Sequence, residues 1–358
     1  MIESLLRRTG FEVELLAPSG LSRRTLALEL AHRHGGSVHP VWHHDSEPSL
    51  VPGLGQFRHL TTGFEVRQVN GDLLCTVVDD VTLLADLNPQ AGPAEGWHRI
   101  LTDDPRLLSL LARHSDPGGT EHTALDAAAA LWGVEVERHG DVYRIADPRG
   151  ATIALATGQG GERERPCEVV TPPLSADHGL FLDNLLGPAR ELGFTVPTEA
   201  AVHVHLDGAP FRQAPALANV IRLFAYWRET LRTVLQTNPA CRRLAQLPDP
   251  LLRAVEGKPT YAELQQAATA GGLTKFFDVN LTQLLTDTPF RDTIEVRILP
   301  GSIDTELIVE NAALIELLLE RCLDPTPLPA PPADPDAAEQ ELFEMAAAVQ
   351  LSTRRPWA

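Results

Sequence analysis

The chain has 358 residues, 43% of them hydrophobic and 22% charged, which is the composition of a globular protein with room for one large domain or two ordinary ones. Its net charge of −18, with only two lysines (Lys258, Lys275) against 28 arginines, argues against a nucleic-acid partner, because phosphate backbones are held by clustered basic side chains. The sequence contains no run of about 18 apolar residues, so no membrane partner is expected. The opening "MIESLLRRTG" lacks the apolar core of a signal peptide, and the expected location is cytoplasmic.

Residues 11–16 alternate apolar and acidic side chains and predict a strand with one apolar face. Ser22 is placed to cap a helix, "RRTLALELAHRHGG", that ends on Gly35–Gly36. The segment "FEVRQVNGDLLCTVV" predicts a hairpin with a type I′ turn at Asn70–Gly71. Helical patterns follow at about 104–115 and 121–132. "VEVERHGDVYRIADPRGATIAL" predicts two or three strands turning at His139–Gly140 and Pro148–Gly150.

Further on, "PCEVVTPPLS" (166–175) is a short strand stopped by Pro172 and Pro173, and "ADHGLFLDNLLGPARELGF" is a helix. A strand at 200–208, a long helix over 214–236, a strand at 291–302 and an apolar helix from Thr305 complete the main body. The stretch "LDPTPLPAPPADP" has the composition of a stiff, exposed linker, followed by a short helix at about 336–350 and a basic end. Irregular alternation of strands and helices, with hairpin signals, predicts an α+β fold on a mainly antiparallel sheet. Neither of the common glycine-rich nucleotide motifs occurs.

Four of the strands carry polar groups at alternate positions: Glu12 and Glu14; Glu168; His203, His205 and Asp207; Glu295 and Arg297. Glu12 and Glu14 project from one face of their strand, roughly 7 Å apart. Each strand alone reads as an ordinary solvated face. Together, on strands that can share a sheet, so many charges are costly when buried unless cations compensate them. Carboxylates with few imidazoles suit Mg²⁺ or Mn²⁺ better than zinc. An adjacent arginine suits phosphoryl oxygens, so these residue types point to metal–nucleotide chemistry without a P-loop.

At these positions the sequence resembles the amidoligase family of the glutamine synthetase-like carboxylate–amine ligases. The shared pattern is an early G-x-E-x-E (Gly10, Glu12, Glu14), a CE-x-x-[ST]-P-P-L strand around Glu168, H-x-H-x-D (His203, His205, Asp207) and a late [ST]-I-E-x-R (Thr293, Ile294, Glu295, Arg297). "NPACRR" (238–243) and "KFFDVNLTQL" (275–284) are weaker matches. The resemblance covers about 10–36 and 166–322. It implies a catalytic domain over 1–322 interrupted by an extra mixed α/β region at 37–160, then a linker at 323–335 and a C-terminal helix and tail at 336–358. The fold implied is a curved, mainly antiparallel sheet of glutamine synthetase-like type with helices on its outer face.

The activity it implies is ATP-dependent: a carboxylate is phosphorylated and an amine attacks the acyl phosphate to form an amide or peptide bond. ATP and Mg²⁺ (or Mn²⁺) are the implied cofactors, and small-molecule or peptide carboxylates and amines the implied substrates. By motif match, Glu12, His203 and Glu295 would hold the metal bridging the ATP phosphates, and Glu14 and Glu168 the metal nearer the carboxylate. His205 would approach the nucleotide phosphates, and Arg297 would neutralise the transferred phosphoryl group or orient the acid. The strand at Glu168 offers one carboxylate where glutamine synthetases supply more than one. Large rings occur among those enzymes, so an oligomer is compatible with the resemblance, though no residue demands one.

Two alternatives stay open: a phosphotransferase acting on a guanidino-type nitrogen, and a catalytically silent metal- or nucleotide-binding scaffold. Other features read as structure. "VHPVWHHDSEP" is expected to be a polar loop, Asp79–Asp80 and Asp103–Asp104 to be strand or helix ends, and the glycine-rich 158–166 a turn. Arg242, Arg243 and Lys275 read as surface charge, the stripe at 307–319 as core, and the four scattered cysteines as reduced and buried.

Overall fold

The computed structural model describes residues 5–48, 56–102, 104–286 and 291–353. Asp103 and the basic residues of the C-terminal end lie outside these. The chain begins with β1 (Thr9–Leu16), α1 (Arg23–Arg33), β2 (Ser37–Pro48), β3 (Gln56–Arg67), β4 (Leu73–Val78) and β5 (His98–Leu101). Then come α2 (Pro105–His114), α3 (Asp126–Trp132), β6 (Glu137–His139), β7 (Val142–Ala146), β8 (Thr152–Gly158), β9 (Pro166–Val170), α4 (His178–Glu191) and β10 (Ala201–Asp207). The last part holds α5 (Ala214–Tyr226), α6 (Arg228–Val234), α7 (Asp249–Ala254), α8 (Tyr261–Ala270), β11 (Val279–Asn280), α9 (Thr282–Leu285), β12 (Thr293–Pro300), α10 (Thr305–Cys322) and α11 (Pro335–Thr353). The fold is α+β, and its strands pair antiparallel.

Two compact units divide the chain, and β1 passes from one to the other between Val13 and Glu14. The first unit comprises residues 1–13, 173–186 and 199–358. Its strands run β11–β12–β10–β1, with α10 packed on β10 and β12. Direct pairing of Phe11 with Val204, and of Val204 with Val296, stacks one apolar face, while Glu12 opposite His203 begins the polar one. The pairing of β10 with β12 shifts register between Val202 and Val204, a bulge of the kind that re-aims side chains beside functional sites.

The second unit comprises residues 14–172 and 187–198, with strand order β9–β4–β3–β5–β8–β7–β6 and β2 along the far edge of β3. One edge of β3 is shared: Phe64 to Arg67 pair with β4, and His59 to Thr61 with β5. The chain must therefore leave the sheet after Val78, which is where Asp79 and Asp80 stand. Helix α1 starts from a capping box in which Ser22 and Thr25 satisfy each other's backbone, and it packs on β2, β3 and β4. Gly36 is required where it is, because a Cβ there would lie 1.9 Å from the Arg67 carbonyl oxygen.

Several expectations need correction. Residues 37–48 are strand β2, not a loop, because the pattern His-His-Asp is paired residue by residue with β3. The turn of the β3–β4 hairpin has only Gly71 in the left-handed region (φ 86°), with the Gly71 amide donating to Gln68 O. It is not type I′, which needs two such residues. The helix expected over 214–236 breaks at Trp227, whose fully buried indole donates to Pro329 O (2.8 Å).

That contact also ties down the Pro-rich stretch, which is exposed along most of its length, as expected, but buries Leu328 and so is anchored and not a free spacer. The buried Asn219 donates to the carbonyls of Asp324 (2.8 Å) and Thr326 (3.0 Å) and accepts from the Leu328 amide (2.9 Å). In the apolar stripe of α10, Leu307 is exposed, while Glu316 is buried and binds the amides of Leu6 and Arg7. All four cysteines are free and buried, as expected. Among the described residues no helix is long and apolar enough to cross a membrane.

Candidate functional site

In the first unit, the ladder itself assembles a polar cluster. Glu12 lies directly opposite His203, and His205 directly opposite Glu295, which in turn faces Asn280. His203 Nδ1 is 3.1 Å from Glu12 Oε2 and 3.7 Å from Glu295 Oε1, and His205 Nε2 is 3.1 Å from Glu12 Oε1. Glu12, His205 and Glu295 each offer a ligand atom within 4.8 Å of the others. His205 thus stands among the carboxylates as closely as His203, the imidazole that the motif match assigns to them. Asn280 donates to Glu295 Oε2 (2.7 Å) and Arg297 to Glu295 Oε1, so both fix that carboxylate.

The electrostatics of this cluster suit a cation. Burial raises the Glu295 carboxyl, but Arg297 and His205 outweigh it and bring it down to about 2. Burial likewise works against the Glu12 carboxylate, yet His205 and His203 hold it well below the usual range. For His203, burial and then the charge of Arg297 bring the imidazole down to about 4 despite Glu12. Burial opposes protonation of His205 too, but Glu12 lies close enough to raise it. Two ionised carboxylates beside the neutral His203 are deprotonated donors of the kind metal binding needs, while His205, whose proton is favoured by Glu12, would have to release it to a bound cation.

The second unit holds a different set. Glu14, Asp80 and Glu168 each offer an oxygen within 4.8 Å of the others, with Glu14 and Asp80 buried. Three carboxylates so close are a hard-cation donor set with no imidazole, suited to Mg²⁺ or Mn²⁺. Glu168 reaches it from β9 through the pairing of Val78 with Glu168. Asp80 arrives just beyond that pair and is oriented by Thr82, whose amide donates to Asp80 Oδ1 (2.8 Å). Sequence reasoning missed Asp80, treating the Asp-Asp pair as a strand end. The available signal was the missing second carboxylate near Glu168.

Neighbouring Asp79 faces another way. It is fully buried beside Arg23 (3.6 Å) and accepts from Gln159 Nε2 (3.2 Å). Asp207 is exposed and binds the Ala209 amide (3.0 Å), so it closes its own turn. Of the weaker matches, Asn280 joins the first cluster, Arg243 is buried where surface charge is expected, and Arg242 is exposed. In the glycine-rich turn, Glu162 accepts from the Asn88 amide (2.9 Å) and pairs with Arg165 (2.7 Å). A cavity of about 480 Å³ in the second unit is lined by Arg24, Phe64 and Trp97 among others and contains none of the three carboxylates.

No curated protein matches the chain. A family model described as "Putative amidoligase enzyme" matches residues 6–319. That span takes in every residue of the two clusters, and the chain belongs to this amidoligase family.

Proposed function

We propose that the protein is an ATP-dependent carboxylate–amine ligase, which forms an amide or peptide bond through an acyl phosphate at a site holding two or more divalent cations. The observation that carries this reading is the pair of donor sets on one strand. Glu12 belongs to a carboxylate–imidazole cluster and Glu14, two residues on, to a set of three carboxylates. The donors fit the proposed cations: Glu12 and Glu295 with His203 or His205 would hold one, and Glu14, Asp80 and Glu168 another. Bound there, the cations would supply positive charge to a transferring phosphoryl group.

The chain's own groups act around that transfer. Arg297 is almost fully buried and fixed against Glu295, so its charge is held without reorganisation, which is the arrangement that favours a developing anion. Asn280 holds Glu295 in one orientation, and Thr282 in turn donates to Asn280 Oδ1 (3.0 Å from its amide). His203, kept neutral by its burial and by Arg297, retains one unprotonated ring nitrogen whose lone pair a cation could take. Catalysis of this kind is mostly positioning and electrostatics.

The test is incubation with ATP, Mg²⁺ and panels of paired carboxylic acids and amines. The reading predicts ADP and phosphate in step with amide, all abolished in Glu14→Gln. Release of AMP and pyrophosphate would refute the acyl-phosphate route. ADP with a phosphorylated guanidino product and no free phosphate would favour the phosphotransferase.

A further inference from the structure

We propose that the buried ion pair of Arg23 and Asp79 is a positioning device for the carboxylate set Glu14, Asp80 and Glu168, and not only a stabilising contact of the fold. The inference rests on the cation reading of that set.

Arg23 opens α1 and is fully buried. Its guanidinium lies 4.2 Å from the centre of the Trp97 ring and 3.6 Å from Asp79 Oδ1, donates to Thr62 O (3.1 Å) and to Arg163 O (2.6 Å), and its amide donates to Glu164 O (3.1 Å). These partners lead to the three carboxylates. Asp79 is bonded to Asp80 along the chain. Residues 163–164 run directly into β9 and Glu168. Arg165, next in that segment, accepts from the Ala17 amide (3.0 Å) and donates through Nε to Ala17 O (2.9 Å), which ties it to the end of the strand carrying Glu14. The Arg23 guanidinium therefore braces Asp79 and residue 163 directly, next to Asp80 and β9, and reaches the strand of Glu14 through the neighbouring Arg165.

Stability alone does not explain the arrangement. A cation in the first turn of a helix opposes the positive end of the helix dipole. Arg23 Nη2 and Asp79 Oδ1 are buried without hydrogen bonds, so the pair is incompletely satisfied. Replacing such a buried pair by apolar groups is often neutral or stabilising. What an apolar pair cannot do is hold Thr62, residues 163–164 and Asp79 in one register, as the rigid fork of an arginine does. Partners that orient metal-binding groups typically change metal affinity 10- to 100-fold when removed.

The experiment compares Mn²⁺ binding and urea unfolding in the full chain, in Glu14→Gln, Arg23→Lys and the double variant Arg23→Met with Asp79→Leu. Expected are two classes of Mn²⁺ site in the parent protein, one lost in Glu14→Gln. The double variant should still fold, with a midpoint lowered by the partners lost to Thr62 O, Arg163 O and Gln159 Nε2, and should weaken the Glu14-dependent class about 10- to 100-fold and leave the other class unchanged. Arg23→Lys should fall between. Unchanged Mn²⁺ affinity in the folded double variant would overturn the proposal, and so would a double variant that does not fold, since the pair would then be structural. If the parent protein binds no Mn²⁺ that depends on Glu14, the cation reading itself fails and this inference with it.

Discussion

His59 makes the stability of the second unit dependent on pH in a direction that can be calculated. The imidazole is fully buried on β3, with neither ring nitrogen hydrogen-bonded. Burial lowers it from 6.5 to about 4, against the opposing charges of Asp45 and Asp79 and with the help of Arg99 and His43. A histidine lowered in the folded state contributes no penalty above its unfolded pKa. As pH falls below 6.5 the unfolded chain takes up a proton that the folded chain refuses, so stability is lost until pH reaches about 4. Working this through, about 2 kcal/mol disappears between about pH 7.5 and about pH 5, and about 3 kcal/mol over the whole range. The assay is urea unfolding at both pH values for the parent chain and His59→Leu, following the transition of the second unit. The variant removes two unpartnered buried nitrogens, so it should be at least as stable at about pH 7.5 and lose about 2 kcal/mol less on acidification. Equal losses in parent and variant would refute the reasoning.

Asp80→Asn should remove one oxygen donor without unfolding the chain. We expect Mn²⁺ binding at the Glu14-dependent site to fall at least about tenfold, as read by calorimetric titration. Asn219→Ala removes the partner of Arg222 Nη1, of the Leu328 amide and of three backbone carbonyls, those of Cys322, Asp324 and Thr326. It should cost about 2–4 kcal/mol and open 323–334 to protease, while an unchanged cleavage pattern would contradict the docked segment. Gly36→Ala would drive a methyl into the Arg67 carbonyl, and a drop in thermal midpoint of several degrees is expected, corresponding to about 2–4 kcal/mol.

Local pattern carried much of this protein. The period-2 alternation of Glu12–Glu14, of His203–His205 and of Glu295–Arg297 was legible because strand geometry alone places such residues on one face. The capping box at Ser22 was legible for the same reason: its hydrogen bonds join residues three apart. The family pattern follows from these same short motifs. What failed was whatever depended on a distant partner. The polar segment 37–48 reads as a loop until β3 supplies its ladder, and the helix over 214–236 reads as continuous, although it breaks at Trp227, whose indole is buried and donates to the distant Pro329 O. The linker is exposed along most of its length, as its composition says, but nothing in that composition announces its anchor Asn219, more than a hundred residues away. Asp79 and Asp80 show the limit most clearly. Identical neighbours in sequence, one is paired with Arg23 and the other joins Glu14 and Glu168. The sequence by itself determined which strands carry acids and imidazoles, since that is a matter of local periodicity. Only the tertiary structure decided which of them meet, because convergence depends on strand register and on where β5 displaces β4 from the edge of β3, and register is set by contacts that no local stretch contains.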